Sequence, residues 1–119
     1  MKNGTRVYAV LSVTFSEVAL LGFGVYVGDE IPPAPVGFMR ALYEATTWEE
    51  VDRRPTKDLQ YVSRLASPKI VLDNGEIVWG AECWWGLEAA YTVLRKGRVE
   101  KQCSIAAARD EHQLPKDLP

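Results

Sequence analysis

The chain has one histidine, two cysteines and no surplus of positive charge, and each shortage removes a class of function. With 14 Lys and Arg against 16 Asp and Glu, the formal net charge is −2, so no basic field is available to hold a nucleic acid polymer. A small anionic ligand asks for less, only a few local cations. Two cysteines cannot build a disulfide framework; reduced thiols are the expectation, with a single Cys83–Cys103 bridge as the alternative. Two Cys and one His match no zinc-ligand spacing, and no metal or other cofactor is expected. His112 sits near the C-terminal end with no motif around it, where a solvated helix end explains it better than acid–base work, which needs a held partner. No run of about 18 apolar residues is present to cross a membrane. Ser12, Thr14, Ser16 and Glu17 interrupt the apolar stretch that a signal peptide would need, which makes the cytoplasm the default location.

What is there reads as one domain: 119 residues, 47% hydrophobic and 25% charged, with enough apolar side chains for a modest core. Residues 5–15 alternate, with Val7, Ala9, Leu11, Val13 and Phe15 on one face, and predict a half-buried strand. A second strand is expected over 18–27, its glycines marking a bulge or a close backbone approach, and Gly28-Asp29 ends it. Ile31-Pro32-Pro33-Ala34-Pro35 is a stiff connector. Phe38, Met39, Leu42 and Tyr43 predict a short helix over 36–45, and Thr47-Trp48-Glu49-Glu50 has the form of a capping box. Further helical turns are expected within 56–68. The strongest local signal is Asn74-Gly75 between Lys69–Asp73 and Glu76–Trp79, a hairpin expected to close in a two-residue type I′ turn. Leu87, Ala90, Tyr91 and Leu94 mark a helix ended by Lys96-Gly97, residues 98–103 a charged edge strand, and Ser104 the cap of a last helix reaching about Gln113. The sum is an α+β fold: a small antiparallel sheet of N-terminal strands plus the central hairpin, with short helices, the C-terminal ones packing on the sheet or on a partner protomer.

Little of this carries catalytic chemistry. Gly22, Gly24 and Gly28 superficially resemble a dinucleotide fingerprint, but the last glycine is one position late and lies in a strand pattern instead of opening a helix. Glu49, Glu50 and Asp52 read as helix-start charges, and Cys83 as a core thiol. The exception is Trp79-Gly80-Ala81-Glu82-Cys83-Trp84-Trp85-Gly86, where three of four tryptophans fall within seven residues around a carboxylate. On a continuous strand, Trp79, Ala81, Cys83 and Trp85 share one face and Gly80, Glu82 and Trp84 the other, a surface the glycines keep open. The first face is core. On the second, Trp84 could stack on a planar ring while Glu82 accepts from an amine or a ribose hydroxyl. Arg109-Asp110 and Arg53-Arg54 could supply an anion contact, Arg109 from a helix whose Ala106, Ala107 and Ala108 permit close approach. The competing reading of Arg109 is a surface arginine paired to Glu111 or solvent.

Four stretches together resemble small phage proteins of the Thoeris anti-defence sponge family. They are Gly22–Asp29 followed by prolines, Leu72–Gly80, Glu82-Cys83-Trp84-Trp85-Gly86 and the C-terminal helix with Arg109. The likeness covers most of the chain apart from residues 38–66. It implies a non-catalytic protein that captures cyclic ADP-ribose isomers, the signals of a bacterial TIR enzyme, at sites between protomers of a homo-oligomer in the cytoplasm of an infected or prophage-carrying bacterium. It further implies Trp84 or Trp85 stacking on adenine, Arg109 on phosphate, and Asp110 or Glu82 on ribose. A second reading needs no small ligand: an interaction or inhibitor module that uses its exposed tryptophans as interface anchors. A hydrolase of the cyclic signal would need a base that the sequence does not offer.

Overall fold

A computed structural model of the chain describes residues 1–37, 47–53 and 65–113. Six strands form one sheet: β1 (Thr5–Val13), β2 (Glu17–Glu30), β3 (Ser67–Leu72), β4 (Ile77–Trp79), β5 (Trp84–Leu87) and β6 (Val99–Gln102). Among the described residues three α-helices accompany it: α1 (Trp48–Asp52), α2 (Tyr91–Arg95) and α3 (Ile105–Gln113). The expected α+β class is what forms. The helix expected over 36–45 falls largely outside the described residues, as do most of the turns expected within 56–68.

The sheet runs β4-β3-β2-β1-β5 through antiparallel pairs, and β6 lies parallel to β2. β2 is the long central strand, its register with β1 shifting near Gly22 and its register with β3 shifting between Tyr26 and Asp29. Gly22 (φ 148°) and Gly28 (φ 113°) take positive φ at these irregularities, so Gly28 bends the strand rather than ending it. The hairpin turn also differs from expectation. Val71 pairs with Ile77, Leu72 N–H donates to Glu76 O (2.8 Å), and Gly75 (φ 90°) follows Asp73-Asn74 as the third loop residue. A glycine in the third place of a three-residue loop suits the bulged form of hairpin. The Asn74 side chain favours it by accepting from Glu76 N–H (2.8 Å) and donating to the Glu76 carboxylate (2.6 Å).

β4 and β5 stand at opposite ends of the strand order, yet only Gly80–Cys83 separate them. A flat sheet would hold those edges about 19 Å apart, four strand spacings. Three of the linking residues form a 3₁₀ turn, which advances only about 2 Å per residue. The sheet therefore coils until its edges approach, as the bulges of β2 favour. Val7, Ala9, Leu21, Tyr26, Ile70, Leu72 and Val78 are buried on one face and α3 covers them through Ile105 and Ala108. Val10, Val18 and Leu20 are buried on the other, under Tyr91 and Leu94 of α2. Caps hold the helix starts as the sequence predicts: Thr47 Oγ1 accepts from Glu50 N–H (3.1 Å) and Ser104 Oγ from Ala107 N–H (3.4 Å). Among the described residues no helix is long and apolar enough to cross a membrane.

Candidate functional site

The tryptophan segment is not one strand, and the parity expected of it breaks at the sheet edge. Trp79 ends β4 with 5% of its surface exposed, and the chain then turns through Gly80–Glu82 before β5 begins at Trp84. Parity resumes within β5. Trp84 pairs with Val10 on the α2 side, whereas Trp85 pairs with Ala9 on the α3 side. Trp85 is stacked on Tyr26 (centroids 5.7 Å apart, planes 8° apart), and the Tyr26 hydroxyl donates to Asp29 Oδ1 (2.6 Å). Trp79 thus belongs to the packed interior, as expected; Trp85 is only partly buried, packed against the core while also lining a groove, and Trp84 is 70% exposed.

Glu82 does not stand beside Trp84 on an open face. The turn folds its side chain inward, to 3% exposure, where Oε1 accepts from the Trp79 backbone N–H (3.1 Å). Arg109 grips the same carboxylate with both ends of its fork, Nε to Oε2 and Nη2 to Oε1, each 2.7 Å. Nη2 also donates to Ile77 O (2.9 Å), so one guanidinium ties α3 to β4 and to the turn after it. The hydrogen bonds to Glu82 push the already high pKa of Arg109 higher still. Nothing within a few residues of either partner signals this pair; it spans 27 positions. Arg109 is therefore not held by solvent alone, the side chain of Glu111 lies outside the described residues, and Asp110 is exposed.

The glycines flanking the segment do not keep a surface open. A Cβ on Gly86 would come 2.9 Å from the Tyr8 ring, and one on Gly80 2.9 Å from Pro68 and from Trp85 Nε1. Both are bare because rings lie directly on the backbone. What remains open is a shallow groove of about 460 Å³, lined by Leu11 and residues 80–85. Arg109 lines a different cleft, about 330 Å³, with Trp79, Ile77 and the connector Pro33–Val36. The structure therefore ties Glu82 to Arg109 and leaves Arg109 off the groove that Glu82, Trp84 and Trp85 line. Arg53, also expected as an anion contact, is exposed and ion-paired to Glu49 (2.7 Å).

No protein-family model, curated protein or solved structure matches this chain. Its chemistry has to be argued from its own geometry.

Cys83 lies in the groove wall, its thiol donating to Trp79 O (3.5 Å), and Cys103 is likewise a free thiol. Burial, aided by the neighbouring Glu82 charge, pushes the Cys83 thiol up to about 12, away from the thiolate that a nucleophile requires. Burial and the bond from its hydroxyl to Glu100 Oε1 (2.7 Å) push Tyr91 up to about 12 as well. Both groups hold their protons more tightly folded than unfolded. The stability they contribute is complete below their ordinary values, 9.0 and 10.0, and is lost as pH rises toward 12. The urea midpoint should therefore fall between about pH 9 and 12, and less steeply in Cys83→Ala. Parallel slopes for the two proteins would show that the thiol ionises as freely folded as unfolded.

Proposed function

We propose that the chain is a non-catalytic binding protein that stacks a planar ring on Trp84, its ligand a cyclic nucleotide-type signal such as a cyclic ADP-ribose isomer. This is the activity of the anti-defence sponges that the chain resembles. The observation that carries the reading is an indole 70% exposed on a strand that backbone pairing to β1 holds in place, at the lip of the groove. An aromatic face fixed in advance costs little to order on binding. The burial-raised Cys83 thiol in the groove wall favours capture over turnover. Because Arg109 is already committed to Glu82, its role in this reading is to hold the turn beneath Trp84. The anion contact then falls to another residue, and a groove this shallow is completed by a second protomer. Titration calorimetry with cyclic ADP-ribose isomers and cyclic dinucleotides should give saturable heat. Trp84→Ala should weaken binding about 10- to 100-fold, the value of one stacked base, while stability stays within about 0.5 kcal/mol. Absence of heat from the whole panel, with protein that is folded, removes the reading; a strict monomer by light scattering removes the shared site.

A specific feature favours the second reading, an interaction module. β5 pairs only with β1 among the described strands, and Trp84-Trp85-Gly86-Leu87 carries neither charge nor proline to guard that edge. Trp84 and Leu87 (52% exposed) could anchor a strand added there by a partner protein. In that case Trp84→Ala abolishes capture of the partner, and the calorimetric panel stays silent.

A further inference from the structure

On the α2 side of the sheet lies a second groove, about 550 Å³, lined by Phe23, Tyr91, Thr92, Arg95, Lys96 and Glu100. Its size is within the range of about 300–1,000 Å³ typical of small-ligand clefts. Phe23 is partly buried and forms the aromatic floor, and the buried Tyr91 ring braces it edge to face from beneath, with centroids 5.1 Å apart. The rim is cationic. Cations near a helix C-terminus ordinarily serve its last carbonyls, but Arg98 already does this, donating to Leu94 O (2.6 Å) and also to Thr14 O (2.7 Å). Arg95 and Lys96 donate no side-chain hydrogen bond to those carbonyls, and Arg95 makes only a long ion pair. Arg95 is 56% exposed and its Nε stands 4.0 Å from Glu100 Oε1, an oxygen that already accepts from the Tyr91 hydroxyl. Lys96 is exposed and makes no ion pair among the described residues. Two cations and one carboxylate line the groove, a local surplus of positive charge on a chain whose net charge is −2.

We propose that this groove binds an aromatic monophosphate: the ring lies on Phe23, and the phosphate is held by Arg95 and Lys96. The arginine offers a planar fork and the lysine a mobile point charge, a combination suited to a terminal phosphate. Glu100, beside the ring, can accept from a hydroxyl or an exocyclic amine. The site is separate from the Trp84 groove, shares no residue with it and does not depend on the function proposed for it.

Phenyl phosphate and inorganic phosphate are the probes, followed by amide NMR shifts. Phenyl phosphate should give saturable shifts confined to Phe23 and residues 91–100, and inorganic phosphate should bind about tenfold more weakly for want of the ring. Arg95→Gln and Lys96→Gln, both at exposed positions, should each weaken phenyl phosphate about tenfold. Trp84→Ala should leave its affinity unchanged, so failure here is distinguishable from failure of the cyclic-nucleotide reading. Equal affinity for the two probes, insensitivity to both charge removals, or no saturation at all would each overturn the proposal.

Discussion

Arg109→Ala should lower the stability of the protein by about 3 kcal/mol, read as a drop in urea midpoint at unchanged m-value. The substitution leaves the Glu82 carboxylate, 3% exposed in the native protein, with the Trp79 N–H as its one remaining partner among the described residues. Breaking a fully buried pair costs about 3–5 kcal/mol, mostly for the orphaned charge, and the lower end applies because the Arg109 side chain is itself 30% exposed. Arg109→Lys keeps the charge but loses the fork and the simultaneous bond to Ile77 O, so it should recover only part of the loss. Glu82→Gln should cost less than Arg109→Ala, since an amide oxygen can still accept from Trp79 and nothing charged is stranded without water. A loss under about 0.5 kcal/mol for Arg109→Ala would mean that solvent replaces the arginine easily. Arg109 would then be free to meet a ligand phosphate after all.

The other large effect is expected at Gly24, which the spacing of glycines in β2 makes easy to mistake for part of a nucleotide loop. Gly24 pairs with Leu72, and β3 lies so close that an added Cβ would stand 2.7 Å from Leu72 Cα and collide with Val71 O. Both obstacles are backbone within a paired strand, so no side chain can swing aside. Gly24→Ala must part β2 from β3 at the centre of the sheet, above the core formed by Ile70, Leu72 and Val78. A loss of about 3 kcal/mol, at the upper end of overpacking costs, is expected in thermal or urea unfolding. Wild-type stability in this variant would show that the two strands are not in this register. The motif-like glycines of β2 thus answer to sheet geometry rather than to phosphate binding.

Local chemistry was legible wherever it decides an outcome by itself. The alternation puts Val7, Ala9 and Leu11 on the α3 face of β1 as expected, but Val13 packs on the α2 face, because the register with β2 shifts around Val10. The Thr47 and Ser104 hydroxyls find amides three residues on, within their own turns. The hairpin was legible in place but not in form, because Asn74 binds Glu76 and draws Asp73 into the loop. Phe15 continues the apolar alternation of β1 but is 97% exposed, since β1 ends at Val13 and Phe15 lies in the turn to β2.

The Trp79–Gly86 segment marks the boundary between the two kinds of information. That Trp79 is core, and that Trp85 packs against it, follows from the cost of leaving such rings in water. That the segment breaks at Gly80–Glu82 follows from the coiling of the sheet, which requires a tight turn between strands at opposite ends of the strand order. The fate of Glu82 depends on α3 lying across the core face, where it delivers Arg109 to a carboxylate 27 residues away. The strands β1 to β3, several turns and the two helix caps could be read from the sequence, because periodicity and hydrogen bonding within a few residues suffice for these. Only the tertiary structure decided which charges are consumed by one another and which stay available. Pairing between distant residues is set by the sheet's curvature and by the docking of helices on its two faces.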